Sequence, residues 1–498
     1  MIKKNILLYC SEFFLSLIVG ILAFKYGIDR KILWIILAFV AFIMLGINFY
    51  HLYRLNSKKM EHIFLMLAIP IGILYSLFLA PFRITDDAAQ IIKNIDLSQG
   101  HLFTRKDSDN KAIVDVPRAF DVKYHVTMLK IKPFYSIMKT DTNYNDLYRV
   151  RSEFTYTVIN MPTNYMFSSL GLRLGTLLNL NLYISLYIAK LFNLIFFWII
   201  GYIMVKIFPF KKIFLLVYLF NPMMLQTMSS IGADCFTNLI CLLWISYILY
   251  LKFEKKKVET KDTFYLFILM IMLATAKFIY FPLLLLLCLI RNLYQNKKDR
   301  KIVLLSVFLS LIVVGIGIYI GLGYKCDFAT IVSKSDIDAV GQVKNVLTKP
   351  WNFIIAVINS IYRRQGNYFS EFFGKVLGSY HISLMFIPYI LYIGLFFVTT
   401  FMDHKDYFNK ASKYLILFIT FILVMCVFGV EYLTWNSVGS HFVSGVQGRY
   451  FLPFMLLPFI IVATDKIKIK FKDNTRFVTV MIIFIQLMNI FVLYRSYM

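Results

Sequence analysis

Charge is scarce in this chain. Of 498 residues, 16% are Asp, Glu, Lys or Arg and 59% are hydrophobic, with a mean hydropathy of +0.69. Soluble proteins carry roughly a quarter charged residues. Length alone suggests about three soluble domains, and this composition points instead to one polytopic membrane protein. Paired cysteines are also lacking. Cys10, Cys235, Cys241, Cys288, Cys326 and Cys426 contain no CxxC, and five lie in or beside apolar runs, which argues against zinc sites and a disulfide framework. There is no internal repeat, which weakens a repeat-built transporter reading. No chain of acids crosses the apolar segments, which argues against proton-driven transport. The opening Met1-Ile-Lys-Lys and its apolar run to Phe24 lack a small-residue cleavage site. That run reads as a retained signal-anchor helix.

Aromatic residues are plentiful, with Phe 49 and Tyr 33, and this excludes disorder. The net charge of +26 sits mostly between apolar runs. Loop orientation and anionic lipid account for it better than nucleic acid does. A helix crossing about 30 Å of hydrocarbon needs about 20 apolar residues. Runs near 6–25, 32–53, 62–81, 183–206, 213–230, 234–252, 302–322, 382–402, 413–430, 450–464 and 477–494 qualify. The stretch 263–291, broken at Lys277 and Pro282, reads as a pair, 263–276 and 278–291. The expectation is an all-α protein of about thirteen spans. It divides into a hairpin over 1–61, a main module over 62–464, and a basic linker with a last helix over 465–498.

Sidedness follows from Lys and Arg in short loops. With a cytoplasmic N-terminus, 26 of them fall inside and six outside. The C-terminus is then external, and two long segments, 82–182 and 323–381, lie outside. The first opens Pro81-Phe-Arg-Ile-Thr-Asp86-Asp87. Ile84, Ala88, Ile91, Ile92 and Ile95 recur at helical spacing and predict a stripe lying on the membrane surface. Thr85 is the expected N-cap and Gly100 the stop. Asp86 and Asp87 either complement the helix dipole or place a carboxylate base at the membrane edge. Residues 103–155, with alternation over Lys111–Val116, predict a small irregular cap. Pro162 starts an interfacial helix through about 178, bearing Arg173.

In the second outer segment, Pro350 to Arg363-Arg364 predicts an amphipathic surface helix. Its arginines either snorkel to headgroups or bind a lipid-linked phosphate. The last outer turn, Gly445-Val-Gln447-Gly-Arg449-Tyr450, brings a guanidinium to the mouth of a span, suited to bidentate capture of phosphate. Asp234, Lys277 and Lys190 lie in or at the ends of spans. Such groups pair with one another or serve function, and Asp234 is expected to pair with Lys277 or Lys190.

These motifs resemble a bacterial family of predicted membrane proteins long catalogued as a domain of unknown function, which looks like a branch of the GT-C glycosyltransferases. The resemblance rests on Pro81–Asp87 with Ser98-Gln-Gly-His-Leu102, and on Asn221-Pro222 followed by Ser229–Asp234. Ala276-Lys277 with Tyr280-Phe-Pro282, and Gly445–Pro453, complete it. It covers about residues 62–464. The family usually reads Asp-Glu-Pro-Ala-His where this chain has Asp86-Asp87-Ala-Ala-Gln90, and two extra spans precede its usual start. The resemblance implies hexosyl or pentosyl transfer from a polyprenyl-phosphate sugar to a cell-envelope glycan, outside the bacterial plasma membrane. It gives the base role to Asp86, or else Asp87. Arg449, Lys277 and Arg363 become the phosphate-stabilising groups, with Asp234, Gln447, Tyr450, Arg364 and Arg173 as further contacts. A divalent metal (Mg or Mn) is left open. The alternatives are a lipid-linked glycan flippase or a non-catalytic partner in envelope assembly. For an enzyme, Asp86, Asp234, Lys277 and Arg449 are expected to converge on one outer cavity.

Overall fold

The computed structural model describes residues 59–117, 147–151, 157–322 and 337–496, apart from 80, 85, 158–159, 295, 379–381, 404, 464–468, 470 and 472. The runs 6–25 and 32–53, and with them nearly all of the 1–61 hairpin, lie outside the described residues. So does the expected N-cap Thr85.

Helix α1 (Met60–Phe78) runs towards the end of the bundle that the sequence places outside. A turn leads into α2 (Asp87–Ser98). Three short antiparallel strands follow, β1 (Arg105–Lys106), β2 (Ala112–Pro117) and β3 (Leu147–Arg151), in the order β1-β2-β3. The cap expected to be irregular thus contains a sheet, and β2 is the segment whose alternation the sequence shows. A 3-10 turn (Pro162–Tyr165) opens α3 (Met166–Leu177), and α4 (Leu182–Ile207) returns inward.

The run 213–230 is not one span. It forms α5 (Lys212–Leu219) and α6 (Pro222–Met228). Pro222 has no amide with which to continue the ladder, and Asn221 caps the second helix by accepting from the Met223 amide at 2.8 Å. Next come α7 (Asp234–Glu254) and α8 (Thr260–Thr275), then a 3-10 helix of 16 residues, Phe278–Leu293. That helix is far longer than the usual 3-10 run. At about 2.0 Å per residue it reaches about 32 Å, enough for about 30 Å of hydrocarbon. Wound as an α-helix it would reach about 24 Å. Its buried side chains are Tyr280, Leu283, Leu284, Leu286, Leu289 and Ile290, of which Tyr280, Leu283, Leu286 and Leu289 stand three residues apart. The indole of Trp244 donates to the Leu283 carbonyl at 2.8 Å.

Next come α9 (Lys297–Leu322), α10 (Ala339–Thr348) and α11 (Pro350–Phe372). The two-residue strands β4 (Val376–Leu377) and β5 (Ile382–Ser383) pair antiparallel. Helices α12 (Phe386–Met402) and α13 (Lys410–Trp435) form the next hairpin. The expected span 450–464 is instead a 3-10 turn (Gly448–Phe451) and the short α14 (Leu456–Ile460), since Pro453 and Pro458 interrupt the ladder. Helix α15 (Asn474–Arg495) closes the described chain.

Among the described residues, α1, α4, α7, α9, α13 and α15 are long and apolar enough to cross a membrane; α12 and the long 3-10 helix are shorter apolar segments. The protein is a mostly helical, polytopic membrane protein. Helix α7 is nearly enclosed, whereas α9 presents Leu304, Leu305, Phe308 and Ile312 outward, as a lipid-facing helix does.

The outer layer differs from expectation in one respect. Ile91, Ile92 and Ile95 of α2 do not face the membrane; they pack on Val114, Val116, Leu172 and Leu186. The sheet and α3 supply an apolar floor, and burying the stripe there removes it from water. The surface helices are α3, which exposes Met166, Leu170, Leu174 and Leu177, and α10–α11, which exposes Val340, Leu347, Trp351, Ile355 and Ile358.

Candidate functional site

The helices alternate in direction, so four connections meet at one end of the bundle. These are the turn before α2, the start of α7, the break between α8 and the 3-10 helix, and the turn after α13. Each delivers one charged side chain. Arg449 donates from Nη2 to Asp86 Oδ2 at 2.7 Å, and its Nε lies 3.6 Å from Asp234 Oδ2. Lys277 Nζ is 2.5 Å from Asp234 Oδ1. The ring of Tyr450 lies beneath both cations, 5.4 Å from Lys277 Nζ and 5.5 Å from the Arg449 guanidinium carbon. Asp86, Arg449, Asp234 and Lys277 thus meet in one run of ion pairs. Of the two pairings open for Asp234, the one formed is with Lys277.

Backbone conformation explains the aim of Asp86. It is the residue before α2 and adopts a left-handed conformation, φ 65°. Aspartate tolerates this region better than most residues. At φ > 0 the side chain leaves the helix axis instead of capping it, and reaches Arg449. Asp86 therefore lies just outside the helix, not in its first turn as expected. Phe82, at the other end of the turn, is also left-handed, φ 68°. Strained residues of this kind cost about 1–3 kcal/mol each and gather where geometry matters for function.

Asp87 behaves differently. It is 4% exposed and accepts from the Phe82 amide at 2.6 Å, holding the turn closed. Burial pushes its carboxyl up to about 6, while the nearby Lys190 charge opposes that. Lys190 in turn donates to the Ser76 carbonyl at 2.6 Å and to that of Leu79. Asp87 is thus enclosed, with its carboxylate engaged by the Phe82 amide.

The turn carrying Arg449 is fixed from two sides. Gly448 sits so tightly against Tyr368, Glu371 and Phe372 of α11 that no β-carbon fits, and its amide donates to Glu371 Oε2 at 2.6 Å. Burial raises the Glu371 carboxyl, opposed by that amide and by Arg364 and Arg449. Behind Arg449, Tyr280 donates to the Tyr450 carbonyl at 2.9 Å and Tyr218 to the Leu452 carbonyl at 2.7 Å. Gln447 lies on this turn with its Oε1 buried and without a hydrogen-bond partner.

Of the remaining expected contacts, Arg173 and Arg363 stand apart from the cluster. Arg173 is exposed on α3 and donates to the Ser98 carbonyl at 3.5 Å. Arg363 is exposed on α11, and Arg364 lies 5.2 Å from the Phe442 ring. Arg364 shares the face of α11 that carries Tyr368 and Glu371 and meets the turn bearing Arg449, and its charge acts on the Glu371 carboxyl.

Sequence reasoning missed a belt of uncharged polar groups below the cluster. Gln90, at the place of the family's histidine, accepts from the Tyr165 hydroxyl at 2.6 Å and from the Ala233 amide at 3.4 Å. Asn164 donates to the Thr275 carbonyl at 3.0 Å, and Asn94 to the Ile231 carbonyl at 3.0 Å. These bonds position Asp234 and Lys277 through their neighbours. Asn and Gln in apolar surroundings were the available signal. A second omission is Glu431, near the outer end of α13.

Among the described residues, no three His, Cys, Asp or Glu side chains group to hold a metal. Asp86 and Asp234 both face cations of the protein, so the donor set does not fit a divalent ion.

A family model described as a predicted membrane protein family, DUF2142, matches residues 69–458, and the chain belongs to that family. No curated protein and no solved structure matches it.

Proposed function

We propose that this member of the DUF2142 family is an integral-membrane glycosyltransferase of the GT-C type. It moves a sugar from a polyprenyl-phosphate donor to a cell-envelope glycan at the outer face of the bacterial plasma membrane. The observation that carries the reading is the meeting of Asp86, Asp234, Lys277 and Arg449 at one end of the helices. The sidedness belongs to the same proposal: an inner N-terminus and an outer C-terminus.

In this reading the donor's phosphate lies against Arg449 and Lys277. The guanidinium now holds Asp86, so an arriving phosphate competes for it and releases the carboxylate. Asp86 then takes the proton of the acceptor hydroxyl. The hydroxyl oxygen bonds to the anomeric carbon, the bond from that carbon to the phosphate oxygen breaks, and its electron pair leaves on the phosphate. The two cations stabilise that charge as it builds. Asp234 holds Lys277 in place, and Tyr450 forms the floor.

Membranes containing the protein are to be assayed with a panel of radiolabelled polyprenyl-phosphate sugars. Transfer of label from at least one donor, absent with Arg449→Ala, is the expected result. Full transfer with Arg449→Ala sinks the assignment. Transbilayer movement of the lipid without transfer supports the flippase instead, and neither supports an assembly partner. Reporter fusions at Lys256 and Asn110 test the orientation, which fails if both report the same side.

A further inference from the structure

Glu431 lies four residues before the end of α13, among apolar neighbours. Its backbone carbonyl accepts from Asn436 Nδ2 at 2.8 Å. Its carboxylate has no hydrogen bond or ion pair within the described protein. The charged groups it faces are Lys277, Asp86 and Arg449, the members of the cluster. Lys277 is engaged by Asp234, and Arg449 by Asp86. The Glu431 carboxylate also fills the space over Gly445 that a side chain there would need, and Gly445 itself has φ +95°. The turn bearing Arg449 is therefore shaped around this carboxylate, yet offers it no donor.

A half-buried carboxylate without donors is costly, because desolvation is not repaid by hydrogen bonds. The chemistry of the missing partner is constrained. An anion is excluded by repulsion, and both nearby cations are occupied. What remains is a neutral donor, and a carboxylate's two oxygens accept well from adjacent hydroxyls.

We propose that Glu431 accepts hydrogen bonds from hydroxyl groups of the sugar held at the Asp86–Arg449–Asp234–Lys277 cluster, and so helps decide which sugar is used. This rests on the sugar-transfer reading of the cluster. The hydroxyls belong either to the donor's sugar or to the acceptor, and the test separates these sources.

The full-length protein in nanodiscs is titrated with three probes: polyprenyl phosphate, polyprenyl-phosphate hexose, and a soluble oligosaccharide. Glu431→Gln keeps the size but halves the accepting capacity. It is expected to weaken the sugar-bearing lipid about tenfold or more, the range for hydrogen bonds to a charged group, with bare polyprenyl phosphate unchanged. Loss confined to the oligosaccharide places the hydroxyls on the acceptor and also supports the proposal. Equal weakening of both lipids, or no change with any probe, overturns it. If the wild-type protein binds neither lipid, the transferase reading fails, and the oligosaccharide arm still decides Glu431. Melting temperature is measured alongside. Should Glu431→Gln not fold, Glu431→Asp, which withdraws the charge by one methylene, is held to the same three outcomes.

Discussion

Asp86 and Asp87 stand side by side in sequence and lead into two regions built on opposite terms. Around Asp86, charges from four separate connections meet at the mouth of the bundle. The Asp86 side chain is 31% exposed against 9% for its partner Arg449, so a ligand can reach the acid and compete for the base. Around Asp87, one carboxylate, one lysine and a few backbone groups are sealed between α1, α2 and α4. The first region keeps its charges available; the second uses them to close a turn. Residue type does not separate the two. One left-handed backbone conformation does, by sending Asp86 outward and leaving Asp87 to point in.

The contrast can be broken most directly at Asp86. Asp86→Asn keeps the size but cannot take up the proton, and base catalysis contributes about 10²–10⁴-fold. Sugar transfer is expected to fall by that factor at an unchanged melting temperature. A normal rate from Asp86→Asn removes the residue from the chemistry.

Asp87→Ala should do the reverse. It strips an acceptor from the Phe82 amide and leaves Lys190 without its neighbouring anion. Losing a hydrogen bond to a charged group costs about 1.5–3 kcal/mol, so a drop in yield and melting temperature is expected. Whatever protein remains folded should still transfer sugar. Loss of transfer at full stability would exchange the roles of the two aspartates.

Arg449 sharpens the comparison with a smaller step. Charge-assisted hydrogen bonds contribute about 1.5–3 kcal/mol each. Arg449→Ala should lose most donor use, and Arg449→Lys, which keeps the charge but not the fork, only part. Parallel loss of melting temperature in both variants would make the arginine structural.

The smallest effect belongs to a third aspartate, on the exposed sheet. Hydrogen bonds from Arg149 and Arg105 hold the Asp115 carboxyl below its ordinary range. A lowered value favours the folded sheet when the group is ionised. That support is complete above about pH 4 and fades as the pH drops through the lowered value. Protection of the amides of residues 112–117 against hydrogen exchange, taken relative to the intrinsic rate at each pH, should fall in acid, and Asp115→Asn should abolish that dependence. Surface ion pairs contribute little, so the global melting temperature should not move.

Much of this was legible in the sequence. The cores of α1, α4, α7, α13 and α15 follow from run length, and β2 from alternation. That Asp234 pairs with Lys277 or Lys190 follows from ionisable groups placed at the same end of neighbouring spans, and the structure selects Lys277. What escaped was set by local geometry or by isolation. Glu431 is a single acid in a 26-residue apolar helix, with no periodic partner to mark it. The fate of Asp87 depended on the φ of its neighbour. The stripe Ile91, Ile92 and Ile95 showed that a face is buried but not what covers it. The breaks at Pro222 and Pro453 were written in the chain, yet hydropathy averages over them.

The 3-10 helix from Phe278 to Leu293 turns a hydrogen-bond pattern into a position. Lys277 rides on its outer end. Relaxing the same 16 residues to α-helical winding would shorten them by about 8 Å and rotate every side chain from a threefold to a 3.6-fold screw. Lys277 would then be drawn away from Asp234, and the buried column of Tyr280, Leu283, Leu286 and Leu289 would spiral off its seam. Where Lys277 stands is thus decided by the winding of the whole 16-residue segment, as directly as by any neighbouring side chain.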